Sequence, residues 1–485
     1  MKIIKRLGIA ALTVFTITSC SDSFFDVNDS ANSPTFSIPE LTLPAAQKAS
    51  TDLITGDYNS YNTLGNLFTN VWAAAGDAIY FTDETSYNVT NGFRPTTFTR
   101  TYLNVLSNYD YVAKNTDPKY TNYVAIAKIM KAYHFQYLVD IYGDVPYTEA
   151  FQRANNPTPV YDAAEDIYAD LLVQLTDAQA LISAAGPDAL AVGSKDIMCG
   201  GDMAKWSKFA NTIKLRIILR SAGLNGTPDF TSVNNGIGFL GAGQTVYCNP
   251  GFLPLVVDKQ NVFYNEFKLN AAGSAGSNAT ATRMTPFADA ILSDSDPRKP
   301  LMWNLVGGDY KTILQNRAGG TAGNALSSIG NGILKGPDMP GIMMQSAESL
   351  FLQAEAAERG FTGNAQALYE AGIQESFNQV GAGSSSGIYN YPSGGTLTAK
   401  ITAIYVQKLI ALTSTNGMEN WIEARRVNYP IPVADKLVNG VPVPVATNIP
   451  VRLLYPFSEL STNSENVPAQ VATDAFNTKI FWDNN

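Results

Sequence analysis

The sequence predicts a mainly α chain, with helices paired toward both ends and a loop-rich middle that carries short strands. Three observations predict it. Apolar residues recur every three and four positions over 120–142, the spacing of one helix face. Two further helical stretches, 346–359 and 364–380, are joined by a short turn containing glycine. Between these regions, 225–345 is enriched in Gly, Asn, Ser and Thr and loses the helical period.

In chain order, residues 20–44 are polar after the first cysteine, with Pro34, Pro39 and Pro44, and read as a tether. Residues 45–485 read as one folded domain, with helical signals from Ala45. In 120–142 the face is Val124, Ala127, Met130, Tyr133, Tyr137, Leu138 and Ile141. Gly143 stops it and Pro146 prevents its continuation. Asp162 and Glu165 form a capping box ahead of Ile167, Tyr168 and Leu171. Another helix is expected over 203–220. Its cations, from Lys205 to Arg220, are spaced along it and give it a solvated face. Residues 244–248 are β-like. In the pair 346–380, Ala354, Ala356 and Ala357 are expected to meet Ala367, Tyr369 and Ala371, because small residues let helices approach closely. The unit has about the 34-residue size of a tetratricopeptide repeat, without its full consensus. Helices over 398–412 and 419–426 follow. Seven prolines between Pro430 and Pro468 make the tail extended.

The N-terminus places the chain. Lys2, Lys5 and Arg6 precede an apolar run over 7–18. That run is shorter than the roughly 20 residues a bilayer needs and fits a secretory signal over 1–19. Ile17-Thr18-Ser19-Cys20 resembles a bacterial lipobox, in which the cysteine is acylated and becomes the first residue. Cys20 is therefore the expected lipidation site, and the mature chain is expected to be anchored to a membrane rather than to span it. Outside the cytoplasm, Cys199 and Cys248 are free to form a disulfide or to stay reduced.

Charge and motif content exclude several classes. A net charge of −9 argues against nucleic acid, which selects clustered Lys and Arg. Gly236, Gly238 and Gly241 match G-x-G-x-x-G without the strand before and helix after that a dinucleotide requires. Gly383, Ser385 and Gly387 match G-x-S-x-G inside a flexible GAGSSSG run. A nucleophile elbow also needs a histidine, and the single one, His134, lies mid-helix between Tyr133 and Phe135. One histidine and no cysteine cluster leave no common zinc site. Asp294-Ser295-Asp296 has calcium-type oxygens but reads as a turn before Pro297. No cofactor and no catalytic residue are expected.

Aromatic residues are abundant: 24 Tyr, 23 Phe and 5 Trp. Flat rings stack on the apolar C–H faces of sugars while Asn, Asp and Arg take the hydroxyls. The rings in polar, loop-like contexts are the candidates for this role: Trp72, Tyr80 and Tyr87 in one segment, Trp303 and Tyr310 in another.

Several stretches together resemble the SusD/RagB family of Bacteroidetes surface lipoproteins. They are AKIMKAYHFQYLVDIYGDVPYTEA, SDPRK, ESLFLQAEAAERG with ALYEAGIQESF, NWIEARRVNYP and RLLYPFSELSTN, in family order over nearly the whole chain. The acidic start Ser21-Asp22-Ser23-Phe24-Phe25-Asp26 resembles that group's surface-export segment. The resemblance implies tetratricopeptide-like helix pairs forming a scaffold and a loop-rich binding face. It also implies a partner, a TonB-dependent outer-membrane transporter of the SusC type, to which family members deliver glycans or in some cases peptides. It implies that Arg425 and Arg426 tie a helix to the tail. The expected function is glycan capture at the cell surface. Peptide capture by the same fold is the alternative, and a surface glycoside hydrolase stands behind both.

Overall fold

The computed structural model describes residues 37–77, 79–316, 321–438 and 441–484. Cys20, the signal segment and most of the tether lie outside the described residues.

Among the described residues, nine α-helices are eight residues or longer. They are α1 (Pro39–Thr51), α2 (Tyr61–Phe68), α3 (Thr121–Tyr142), α4 (Ala164–Ala184), α5 (Met203–Ser221), α6 (Ser346–Glu358), α7 (Ala365–Val380), α8 (Leu397–Leu412) and α9 (Gly417–Arg426). The expected mainly α class holds. The strands are short and pair only in twos: β1 (Trp72–Ala73) with β3 (Arg283–Met284), β2 (Val246–Cys248) with β4 (Gly341–Met344), and β5 (Asp435–Val438) with β6 (Val441–Pro444).

Helix α1 begins six residues inside the stretch expected to be tether, because Pro39 occupies a first-turn position where its missing N–H costs nothing. Helix α3 ends where expected, at Gly143, whose φ of 83° only glycine adopts easily. The capping box ahead of α4 does not form. Asp162 turns away to accept from the Tyr147 and Thr148 amides, both at 2.9 Å, and Asp144 instead accepts from the Ala164 amide. Helices α7 and α8 are capped by Asn364 and Thr396. The tail is not simply extended. It contains the β5–β6 hairpin and the helical turns Phe457–Thr462 and Asp474–Asn477.

Helices pack as neighbours: α3 on α4, α4 on α5, α6 on α7 and α8, and α2 on α9. The α6–α7 contact runs through Phe351, Ala354, Tyr369, Ile373 and Phe377. Ala367 is exposed and takes no part, contrary to the sequence reading. The close approach comes from Gly372, where a Cβ would sit 2.7 Å from the Phe351 ring.

The cations of α5 are the largest departure from expectation. Lys214, Arg216 and Arg220 are fully buried rather than solvated. Arg220 bonds Asp140 at 2.5 Å, Glu419 at 2.5 Å and Glu423 at 3.0 Å. Arg216 bonds Glu348 at 3.0 Å and Gln136 at 2.9 Å. Lys408 reaches Glu419, and Arg426 joins Glu423 to Glu355. Asp140 also accepts from the Trp482 indole at 2.9 Å. One ionic network thus ties α3, α5, α6, α8, α9 and the tail together. Burial pushes the Glu419 carboxyl up, but Arg220, Lys408 and Arg216 outweigh it and hold it below the usual range. Arg425 ties α9 to the tail through the Val451 carbonyl, as implied, and to α3 through the Asp140 carbonyl. Arg426 instead turns to Glu355 and Glu423.

His134 is packed in the core. Its Nε2 lies 2.8 Å from the Ser50 hydroxyl, and Nδ1 has no partner among the described residues. Burial, with Arg216 nearby, pulls its pKa to about 3. A histidine titrating near 6.5 when unfolded then favours unfolding as pH falls from 6.5 toward 3. The unfolded chain binds the extra proton in that window, so stability is full above it and lost below. Linkage puts the loss between pH 7 and pH 5 at about 2 kcal/mol from this residue. Urea unfolding of His134→Gln should show a shallower drop across that interval than the parent protein. Equal slopes would refute the assignment.

Candidate functional site

The two segments singled out in the sequence share one apolar cluster, and other stretches of the loop-rich region bond to the first of them. Strand β1 pairs antiparallel with β3, Trp72 opposite Met284 and Ala73 opposite Arg283. Beyond β1, the Gly76 amide donates to the Thr321 carbonyl at 3.0 Å, and Asp77 accepts from the Gly323 amide at 2.9 Å. The Gln315 side-chain amide donates to the Leu67 and Trp72 carbonyls. Trp303 bridges to Ile329. The Gly76–Thr321 backbone bond and the Gln315 and Asp77 side chains therefore join 72–77 to Gln315, Thr321 and Gly323, above one apolar cluster containing Trp72, Phe81, Met284, Trp303 and Ile329.

The five candidate rings separate. Trp72 is fully buried, donates to the Ser414 hydroxyl at 2.9 Å and stacks against Phe263. Trp303 is fully buried too, and its indole N–H has no acceptor among the described residues. Tyr87 is buried, with its hydroxyl accepting from the Ala434 amide, and burial raises its pKa. These three present no face to a ligand, which corrects the sequence reading. Their polar neighbours in sequence serve the loop backbone, while the rings themselves turn into the cluster. Tyr310 is half-buried, and the Lys299 ammonium lies over its ring at 4.7 Å. Tyr80 alone of the five is exposed, at 40%.

What supports Tyr80 was not visible in sequence. Phe81 adopts a left-handed backbone, φ 56°, which turns its ring inward while Tyr80 stays out. The Phe81 ring stacks on Tyr58 at 5.4 Å, and the Arg94 guanidinium lies over Tyr58 at 4.4 Å. Arg94 is fixed by Glu84 at 2.6 Å. On the facing segment, buried Arg283 donates to the Gly323, Ala279 and Thr282 carbonyls and clamps that loop. Gly323 is required there, since a Cβ would fall 2.8 Å from the Thr280 carbonyl oxygen. The resulting face carries Tyr80, Ile79, the carboxylates of Asp77 and Asp83, and the exposed side chains of Thr82, Thr321 and Asn324. A ring flanked by hydrogen-bonding groups suits a polyhydroxylated ligand with apolar faces.

A second concavity lies elsewhere. It is a groove of about 1060 Å³ between residues 98–117, 146–159 and 458–463. Phe98, Tyr102, Tyr111 and Phe151 line it, with Arg153 and Glu459 on its walls.

The remaining motifs resolve as scaffold. Gly236 and Gly238 take left-handed turns. The Ser385 hydroxyl is bonded to Gln374, and the sole histidine is in the core. Asp296 is held by Arg298 at 2.8 Å and Asp294 by Lys299 at 2.5 Å. Among the described residues, no group of three or more His, Cys, Asp or Glu is placed to hold a metal ion. Cys199 and Cys248 are free thiols, which resolves the disulfide question. No helix among the described residues is long and apolar enough to cross a membrane.

Comparison with known proteins then gives the lineage. The family described as "Starch-binding associating with outer membrane" matches residues 32–456. A chitin-binding SusD homologue from Flavobacterium johnsoniae superposes with a TM-score of 0.74 at 20% identity, covering 91% of this chain and 99% of its own. A SusD homologue from Bacteroides vulgatus gives 0.72 at 19% identity, with 92% and 97% covered. A SusD-like protein from Bacteroides thetaiotaomicron gives 0.68 at 21%, with 92% and 99% covered. No curated protein matches the sequence. With the family match spanning most of the chain, and the same fold recurring in these homologues, the protein belongs to the SusD-like family of outer-membrane-associated, starch-binding proteins.

Proposed function

We propose that the protein captures oligosaccharides at the cell surface on the face that carries Tyr80, Asp77, Thr82, Asp83, Thr321 and Asn324, and that it acts by binding rather than by catalysis. The observation that carries this is Tyr80, an exposed ring on a stacked aromatic base, flanked by carboxylates and hydroxyls. Tyr310, beneath Lys299, borders the same cluster and is proposed as a secondary contact. Two of the similar solved structures are described as chitin-binding, so chitin oligosaccharides belong with starch oligosaccharides among the first ligands to test. Cys20 is proposed to carry the lipid that holds the protein on the outer membrane, facing outward.

Removing a central aromatic anchor typically costs about 2 kcal/mol, roughly 30-fold in affinity. Tyr80→Ala should therefore weaken oligosaccharide binding by that order in calorimetry while leaving the melting temperature unchanged. Unchanged affinity would refute the site. Peptide capture is the second reading, favoured by the charged aromatic groove beside Arg153 and Glu459. Calorimetry that detects peptides but no glycans, with binding lost in Arg153→Glu and kept in Tyr80→Ala, would replace the first reading with it.

Delivery requires a receiver. A TonB-dependent transporter of the SusC type is the proposed partner, through an interface above roughly 1,000 Å². Mild-detergent purification from native membranes should recover such a barrel in near-equal amount. Recovery of the lipoprotein alone, under conditions that preserve comparable complexes, would count against it.

A further inference from the structure

Residues 253–259 are seven consecutive exposed positions, and the first five, Leu253, Pro254, Leu255, Val256 and Val257, are apolar. Leu255 and Val257 are 74% and 72% accessible. The run is an ordered finger. The Leu253 amide donates to the Lys259 carbonyl at 2.7 Å, and the Lys259 amide to the Val256 carbonyl at 3.1 Å, which pins its neck. Asn249 accepts from the Gly251 amide at its base. Leu255 and Asp258 adopt left-handed backbone, φ 62° and 61°, a conformation that disfavours a leucine. Contiguous apolar side chains held in water on strained backbone mark an interaction site.

Helix α1 places the finger on the molecule. Phe252, at the finger's root, is buried beneath the Lys48 ammonium, 5.9 Å from its ring. Leu41 lies seven residues before Lys48, two turns along the same helical face, and is 61% accessible. Ile38, beside the helix start, is also exposed. The finger and these two residues thus share the helix that opens the described chain. Sixteen residues, 21–36, separate Ser37 from Cys20, so the two ends lie at most about 60 Å apart. An acylated Cys20 keeps this side of the protein within reach of the bilayer.

We propose that 253–257 inserts into the acyl region of the leaflet that holds the Cys20 lipid, as a second point of attachment. The inference rests on the lipid-anchor reading above. The finger is too slight for a stable protein interface, which wants about 800 Å² per partner. Interfacial insertion needs only a small apolar area when a lipid chain already supplies the first contact. Asp258 and Lys259 at the neck then lie at headgroup depth. A single attachment leaves open which side faces the membrane, whereas two attachments fix it.

The test uses the acylated full chain carrying Val257→Cys with an environment-sensitive fluorophore, on phosphatidylethanolamine–phosphatidylglycerol vesicles containing doxyl-labelled acyl chains. Cys248 is buried and burial raises the Cys199 thiol, so the unsubstituted chain sets the labelling background. Loss of emission at 257, with none at Gln366→Cys on α7, is the expected result. A protein that floats with the vesicles but keeps its emission at 257 overturns the finger and leaves the anchor standing. An acylated chain that does not float overturns both. A change at 257 that appears only when a barrel protein is co-reconstituted overturns lipid insertion in favour of a protein partner.

Discussion

Arg220→Met should cost the fold about 3–5 kcal/mol, the usual loss when one side of a buried ion pair is removed. Arg220 is completely buried and bonds three carboxylates, those of Asp140, Glu419 and Glu423. Methionine matches its apolar stem but not its charge. Lys408, Arg216 and Arg426 would remain beside Glu419 and Glu423, while Asp140 would lose the guanidinium it bonds. The uncompensated charge, rather than a lost attraction, drives the loss. The effect has a pH signature. Without the guanidinium, Asp140 and Glu419 protonate at higher pH, and neutral carboxyls are cheaper to bury. The deficit relative to the parent protein should therefore shrink as pH falls from 7 toward about 4.5, the ordinary glutamate pKa, because the folded variant takes up these protons before its unfolded chain does. Urea unfolding at pH 7 and pH 4 measures both. A loss under about 1 kcal/mol at pH 7 would mean the network is far more solvated than its burial indicates.

The parts of the fold legible in the sequence are those specified locally. Helix α3 could be bounded because its apolar face, Gly143 and Pro146 lie within one stretch. The α6–α7 pair was legible as two helices and a turn, but its contact face was not. Alanines at 354, 367 and 371 advertise close packing, yet Gly372 against Phe351 provides it. The burial of the α5 cations is illegible in the sequence for a deeper reason. Lysine and arginine are rarely buried unless paired, and the pairing groups sit about 80 residues before Arg220 and 200 after it. No local window contains them. The candidate site divides the same way. Chain position and polar context draw attention to the segments around Trp72 and Trp303, and the structure sets both tryptophans in one apolar cluster. Which ring faces out depends on the left-handed turn at Phe81 and on what arrives from elsewhere: Phe263 and Ser414 at Trp72, Ala434 at Tyr87. Local polarity reports a loop, not the direction in which its side chains point.

Trp303→Ala is expected to lower stability by about 3–5 kcal/mol, the range for truncating a large core aromatic. Trp72→Ala should do the same, because both rings belong to the cluster beneath the candidate face. The phenylalanine variants should then separate the two positions. Trp72 donates to the Ser414 hydroxyl, which itself lies in the core, so Trp72→Phe removes a bond and leaves a buried oxygen without its donor. Such an orphan costs about 1–3 kcal/mol beyond the lost ring area. The Trp303 indole N–H has no acceptor among the described residues, so Trp303→Phe loses ring area but also removes an unsatisfied buried donor. Trp303→Phe should consequently be the milder change by at least about 1 kcal/mol in urea unfolding, although the two tryptophans are equally buried. Equal losses would mean that the Trp303 N–H finds an acceptor in the folded protein. Because neither ring reaches the surface, both phenylalanine variants should retain oligosaccharide affinity in calorimetry, whereas Tyr80→Ala should lose it. A Trp303→Phe protein that keeps its stability but loses the glycan would return that ring to the binding site.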